Sequence, residues 1–355
     1  MNTKKETIRF FDLFAGIGGF RIAAESLKND KFVFKHVAYC EIDKQARELY
    51  NKVQDLDDVQ IIVDAKDIKT KKNDTGIRVN DFDILFGGFP CQSFSNVGYR
   101  KGMNDDRGQL FYNILDIIDY YNPKYFVLEN VQKLSTINGG VLLEEMTIAL
   151  KGIGNGYNLH VWDLIASNYG LPQNRRRIFF CGVRKDISVV KQLDPPPITD
   201  LKDSKYPTVW HLLEKDKVED KHFIPKKTRQ TVLYKNPKWQ GNVNIDNLIA
   251  RPLTASMSKW HRANQDNYYS VTYIEGQDPL ERPVVDIDNE PIRRITPLEG
   301  FRIQGFPDFF AAKAKEINLS VSSQYRLIGN AVPVNLASNV IKHFLFNYHE
   351  NNKQY

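Results

Sequence analysis

Cysteine is scarce in this chain. Cys40, Cys91 and Cys181 are the only three in 355 residues. They form an odd, widely spaced set with no metal-ligand spacing and no even complement for a disulfide frame. That predicts a reducing, cytoplasmic setting and no bound metal. Long apolar runs are also missing. None approaches the roughly 20 residues that cross a bilayer as a helix, so no membrane-spanning helix is expected. Residues 1–5 lead straight into a strand-like run, so no signal peptide is expected. The G-x-G-x-x-G spacing of dinucleotide binders is absent, which argues against a nicotinamide oxidoreductase. Acids are nearly absent from residues 221–262, where nine Lys or Arg face a single Asp246. That local surplus exceeds the net charge of the whole chain, +6. Phe223, Tyr234, Trp239 and Trp260 are interleaved with the cations, a pattern that suits a nucleic-acid backbone; the alternative is a solvated face.

The remaining texture is that of an α/β protein. Ile8 to Phe14 reads as a strand, Ala15 to Phe20 as a glycine turn, and Phe20 to Lys28 as an amphipathic helix. Phe32 to Cys40 is a second strand, followed by Glu41-Ile42-Asp43. A carboxylate there is placed to accept hydrogen bonds from ribose hydroxyls. Glu41 is the better candidate, because Asp43 suits the N-cap of a helix from Lys44 to Lys52. Gln60 to Val63 is a third strand, with Asp67-Ile68 after it.

Phe82 to Phe86 is a buried strand broken at once by Gly87-Gly88-Phe89-Pro90, so Cys91 sits on a loop at a strand end. A thiol there is either a nucleophile or an ordinary buried hydrophobe. Residues 96–108 are polar and glycine-studded, as in a lid or a plain surface loop. Lys124 to Leu128 is the next strand, and Glu129 follows as a second reactive group or a helix-start carboxylate. Tyr157 to Ala166 and Arg177 to Arg184 read as a strand pair. Before the latter runs Gln173-Asn174-Arg175-Arg176-Arg177, suited to an anion or a base. From about Ser188 regular alternation stops, and Asn335 to Tyr348 closes the chain as a helix.

Taken in order, FDLFAGIGGF, the carboxylate after the second strand, Asp67-Ile68, GGFPCQSFS, Arg107-Gly108 with Leu110-Phe111, Glu129-Asn130-Val131, QNRRRIFF, RRITPLEGFRIQGFPDFF and GNAVPVN span nearly the whole length. In this order they resemble the bacterial DNA (cytosine-5)-methyltransferases. The resemblance implies a Rossmann-like S-adenosylmethionine-dependent fold with a smaller, irregular target-recognition domain. The expected division is residues 1–187 plus 318–355 for catalysis and 188–317 for recognition.

It also implies roles. Cys91 matches the nucleophile that adds to carbon 6 of cytosine, Glu129 the acid at N3, and Arg175 and Arg177 the arginines near the base. Phe14, Gly16, Gly18, Glu41, Ile42, Asp67, Ile68, Leu110, Asn330 and Val332 match the lining of the S-adenosylmethionine site, whose product is S-adenosylhomocysteine. Gln92, Ser95 and Arg100 match loop positions near DNA. Arg251 and Thr254 fall in Arg251-Pro252-Leu253-Thr254-Ala255, which resembles the threonine-containing element of the recognition region.

The implied partners are double-stranded DNA and a cognate restriction endonuclease, the implied state is a monomer, and the target cytosine is expected to be flipped out. Two departures stand out. Ile42 replaces a common aromatic, and Gly300-Phe301 replaces a common Cys-Ala. A tRNA cytosine-5 methyltransferase is disfavoured because no Cys-Phe-Thr element is present. A catalytically silent DNA-binding relative is disfavoured by the intact Pro90-Cys91 and Glu129-Asn130-Val131.

Overall fold

A computed structural model describes residues 5–27, 32–53, 56–89, 109–187, 192–234 and 244–351. The chain divides into two compact units. One comprises Met1–Leu164, Arg176–Pro197 and Ala337–Tyr355, the other Ile165–Arg175 and Ile198–Leu336.

The first unit is built from β1 (Glu6–Leu13), α1 (Gly19–Ser26), β2 (Phe32–Cys40), α2 (Lys44–Val53), β3 (Gln60–Ile62), β4 (Ile84–Gly88), α3 (Gln109–Tyr121), β5 (Tyr125–Val131), α4 (Val141–Gly152), β6 (Tyr157–Ile165) and β7 (Arg176–Arg184). Seven strands form one sheet in the order β3-β2-β1-β4-β5-β7-β6. The first five are parallel, and β7 runs antiparallel to β5. Strand order reverses direction between β1 and β4. In open α/β sheets the carboxyl ends of strands at such a point form a ligand crevice.

Local sequence explains the elements. β4 is apolar without alternation and almost wholly buried, as a central parallel strand must be. On α3, Ile114, Ile117 and Ile118 repeat at helical spacing and join Leu85, Phe126 and Leu128 in the main core. In the β5–β7 ladder Gly182 lies opposite Phe126. A Cβ at Gly182 would come within 2.2 Å of that ring, so only glycine fits. β5 runs to Val131, three residues beyond the Leu128 end expected from the apolar run, because Glu129, Asn130 and Val131 pair with Phe179, Ile178 and Arg177. The helix-start alternative for Glu129 is thereby removed.

The second unit holds α5 (Lys226–Leu233), β8 (Tyr268–Ser270), α6 (Val271–Glu275), β9 (Ile292–Arg294), α7 (Pro297–Ile303), α8 (Phe309–Glu316) and α9 (Val321–Asn330). Its only sheet among the described residues is the β8–β9 pair. The RRITPLEG stretch is its internal frame. Arg293 Nη2 lies 2.6 Å from Glu299 Oε1, both side chains sealed from solvent, while Thr296 and Glu299 make a capping box on α7. Glu299 also accepts the backbone N–H of Glu214 at 2.7 Å. The last helix is α10 (Val334–Asn351), whose residues from Ala337 onward belong to the first unit. Among the described residues no helix is long and apolar enough to cross a membrane.

Candidate active site

The glycine turn after β1 is held in a conformation its sequence permits. Gly16 and Gly18 have φ of 56° and 91°, in the left-handed region that favours glycine. Phe14 also has φ 56°, uncommon for an aromatic and a mark of a backbone fixed by its surroundings. A Cβ on Gly16 would meet nothing within 4 Å, so its need for glycine is conformational and the space above the turn is open.

The turn is tied to the end of β2. Ala15 N donates to Cys40 O at 3.0 Å, and Gly16 N donates to Glu41 Oε2 at 2.8 Å. Glu41 Oε1 accepts Asp43 N at 2.7 Å. Burial pushes the Glu41 carboxyl up, opposed by these two backbone N–H groups that favour its charged form. Each oxygen keeps further lone-pair capacity. Asp43 caps α2, accepting from Gln45 N and Ala46 N at 2.9 and 3.1 Å.

The neighbouring Ile42 side chain is 67% exposed, an apolar shelf beside a polar acceptor. Arg47 fixes that shelf by donating to the carbonyls of Glu41 and Ile42 at 2.8 and 2.7 Å. Arg47 was not singled out in the sequence, and its helical spacing from residues 41–43 was the available signal. Asp67 is exposed at the end of a short 3-10 turn, whereas Ile68 is sealed in the core. Leu110 is half-buried in the first turn of α3.

The carboxyl ends of β4 and β5 form the adjacent cluster. Gly88 pairs with Glu129, and Phe89 N donates to Glu129 O at 3.3 Å. Asn130, fully buried, donates from Nδ2 to Phe89 O at 3.1 Å and accepts Val131 N at 2.8 Å. The residue two positions before Cys91 is therefore pinned from both sides by β5. Cys91, Gln92, Ser95 and Arg100 themselves lie outside the described residues, as does Trp239. Glu129 is 7% exposed, and its Oε1 lies 2.6 Å from Arg177 Nε. That N–H is not directed at the oxygen, so the contact is a charge pair rather than a hydrogen bond through Nε.

Arg175 is placed differently. Its guanidinium is buried in the second unit, donating to Leu253 O at 2.7 Å and to Gly329 O and Ala331 O at 2.9 and 3.0 Å. Within that unit Arg251 Nε reaches Ala263 O at 3.2 Å, Thr254 is exposed, Asn330 is exposed at the end of α9 and Val332 is half-buried.

The basic segment is only partly free to meet a ligand. Arg229 donates to the carbonyls of Ile287 and Glu290, and Trp260 stacks on Tyr268 with the Arg294 guanidinium 4.1 Å from its ring. Lys226, Lys227 and Lys259 are exposed. The single acid, Asp246, is buried and accepts Ser270 N and Oγ at 2.7 and 2.8 Å. Among the described residues no group of three or more His, Cys, Asp or Glu is placed to hold a metal.

The sequence model of the C-5 cytosine-specific DNA methylases matches residues 8–345, nearly the whole chain. The chain belongs to the C-5 cytosine-specific DNA methylases. This methylase is 34% identical to the type II methyltransferase M.NgoBI of Neisseria gonorrhoeae, over 96% of this chain and 95% of that one. It is 34% identical to M1.ScrFI of Lactococcus lactis subsp. cremoris over 94% of this chain and 77% of the relative, and 32% identical to M.HpaII of Haemophilus parainfluenzae over 93% and 87%. Among solved structures, the methyltransferase EhMeth of Entamoeba histolytica superposes with a TM-score of 0.72 at 18% identity, over 97% of the methylase and 99% of EhMeth. The Dnmt2 methyltransferase of S. pombe does so at 0.70 and 19%, over 96% and 99%. These two likenesses speak to the fold alone. The family makes the chain a DNA cytosine-5 methyltransferase.

Proposed function

We propose that the methylase marks carbon 5 of a flipped-out cytosine in duplex DNA through a transient bond between Cys91 and carbon 6, with S-adenosylmethionine as donor. The observation that carries this reading is the cluster of Glu129, Arg177 and Asn130 at the carboxyl end of β5. It sets an acid–guanidinium pair beside the backbone that leads into Cys91.

Carbon 5 of cytosine is a weak nucleophile. Addition of the Cys91 thiolate to carbon 6 makes carbon 5 an enamine terminus. Glu129, which enters this step protonated, gives its proton to N3 as the thiolate adds and takes it back as the carbon–sulfur bond breaks. The Arg177 guanidinium stabilises negative charge that grows on the ring carbonyl. The bound donor supplies an electrophilic methyl. The proton on carbon 5 then leaves to water and the carbon–sulfur bond breaks, which returns the thiolate.

The residues fit such a donor. The open space over Gly16 admits its amino-acid portion, the Glu41 oxygens accept ribose hydroxyls, and the exposed Ile42 shelf suits adenine. Phe14, Gly18, Asp67, Leu110, Asn330 and Val332 complete the proposed lining; sealed Ile68 would support it from beneath. Glu41→Ala is expected to weaken S-adenosylhomocysteine binding by roughly 10–150-fold, the equivalent of about 1.5–3 kcal/mol for a lost charged acceptor. Isothermal titration checks this, and an unchanged affinity would remove Glu41 from the site.

Recognition is assigned to the second unit, with Arg251 and Thr254 in its threonine-containing element, and Gln92, Ser95 and Arg100 are assigned to contacts with DNA around the extruded base. The relatives are named type II methyltransferases, which supports pairing with a restriction endonuclease. The deciding experiment uses duplex DNA with 5-fluorocytosine at the target position, located by bisulfite sequencing. Fluorine cannot leave as a proton does, so a covalent complex that survives denaturing gel electrophoresis is expected. Absence of that complex, or methyl transfer to tRNA in place of DNA, refutes the proposal.

A further inference from the structure

The clamp around Arg175 joins two stretches that the methyl-transfer reading gives to different ligands. Leu253 directly precedes Thr254 in the proposed recognition element, and Gly329 and Ala331 flank Asn330 in the proposed cofactor lining. One guanidinium, 3% exposed, donates to the carbonyls of all three. An independent contact binds the same two stretches. A Cβ on Gly329 would lie 2.2 Å from Thr254 C and 2.3 Å from Ala255 N, so the 254–255 peptide rests directly on the Gly329 backbone. The surrounding amides are fixed as well. Gln173 accepts Leu253 N at 3.3 Å and donates to Ile303 O at 3.0 Å, while Gln304 donates to Ile328 O at 2.8 Å.

We infer that Arg175 is a positioning residue that couples duplex engagement to cofactor retention, because its guanidinium holds the recognition element and the turn around Asn330 in one rigid piece. This rests on the function proposed above. A displacement of Thr254 by DNA cannot leave Leu253 O without moving a fork that also holds Gly329 O and Ala331 O. Close-packed backbone transmits such a shift rather than absorbing it. Arginine is required, since its planar fork can satisfy several carbonyls at fixed angles, whereas a lysine presents one ammonium. Arg177 is then the arginine of the pair that serves the base. Coupling of this kind is reciprocal: DNA tightens cofactor binding by the factor by which cofactor tightens DNA binding.

The test measures S-adenosylhomocysteine affinity by titration with and without a duplex that carries the methylated site. In the unaltered enzyme the duplex is expected to tighten binding on the order of tenfold, within the usual range for two coupled sites. In Arg175→Lys that factor, the ratio of affinities with and without DNA, is expected to fall below about twofold. A merely structural arginine would lower the melting temperature and leave the coupling factor intact. A second measurement needs no variant: duplex alone should slow hydrogen exchange of the peptide that spans residues 328–332. Retained coupling in Arg175→Lys overturns the inference. So does unchanged exchange, or no coupling at all in an enzyme that methylates normally. Those outcomes leave the methyl-transfer reading standing, whereas an enzyme that neither methylates nor traps 5-fluorocytosine removes that reading itself.

Discussion

Replacing Cys91 with alanine is expected to lower methyl transfer by at least about 10⁴-fold and leave duplex binding within a fewfold of the unaltered enzyme. Loss of a covalent nucleophile is of this order because the remaining machinery has no intermediate to act on. The other two thiols cannot substitute. Cys40 and Cys181 are both buried, and burial pushes each thiol up, away from the reactive thiolate. Cys40 ends β2 and Cys181 lies in β7, where each packs as a small apolar side chain. Of the three cysteines, Cys91 alone is left to fill the proposed nucleophile role. Alanine removes a sulfur and adds no bulk, so duplex binding is expected to survive the change. Filter-bound tritium transfer and gel-shift titration read the two effects separately. If both fall together, Cys91 serves the loop's structure and not the chemistry.

Much of this site was legible because its sequence signals are local. The β2 strand falls on Phe32–Cys40, the residues read as a strand in the sequence, and Asp43 is the N-cap of α2 that its position suggests. Glu41 could be separated from Asp43 on the same grounds. The signals that escaped are contacts between residues far apart in the chain. Arg175 meets partners 78, 154 and 156 positions away, and nothing in QNRRRIFF distinguishes its buried fork from the Arg177 fork two residues later. The β5–β7 register turns one toward Glu129, and that register is set only when the antiparallel ladder forms. Asn130 was visible within a motif but without a role, because its partner is a backbone carbonyl that carries no signature. The basic segment shows a different failure. Counting Lys and Arg gave its charge correctly, yet Arg229 is engaged with the backbone carbonyls of Ile287 and Glu290 within the unit.

Glu129→Gln is the second change with a large expected effect, and it separates chemistry from packing. The amide keeps the carboxyl's volume but cannot supply a proton to N3, so kcat should fall by about 10²–10⁴-fold, the usual share of a general acid. It also leaves Arg177 facing a neutral group in a confined space, at a stability cost of about 1–3 kcal/mol. Arg177→Met leaves the opposite charge stranded, since Glu129 has little access to solvent, and should cost a similar amount. The combined variant, Glu129→Gln with Arg177→Met, places an amide beside a thioether and strands no charge. Its stability should therefore recover well beyond the sum of the single losses, as expected for side chains in contact. Its kcat should not recover, because neither the acid nor the guanidinium at the ring remains. Denaturant midpoints and single-turnover methyl transfer on the same four proteins decide the matter. Rescue of activity together with stability would mean that the pair holds β5 against β7 and takes no part in the reaction. Full activity in Glu129→Gln alone would remove Glu129 as the acid.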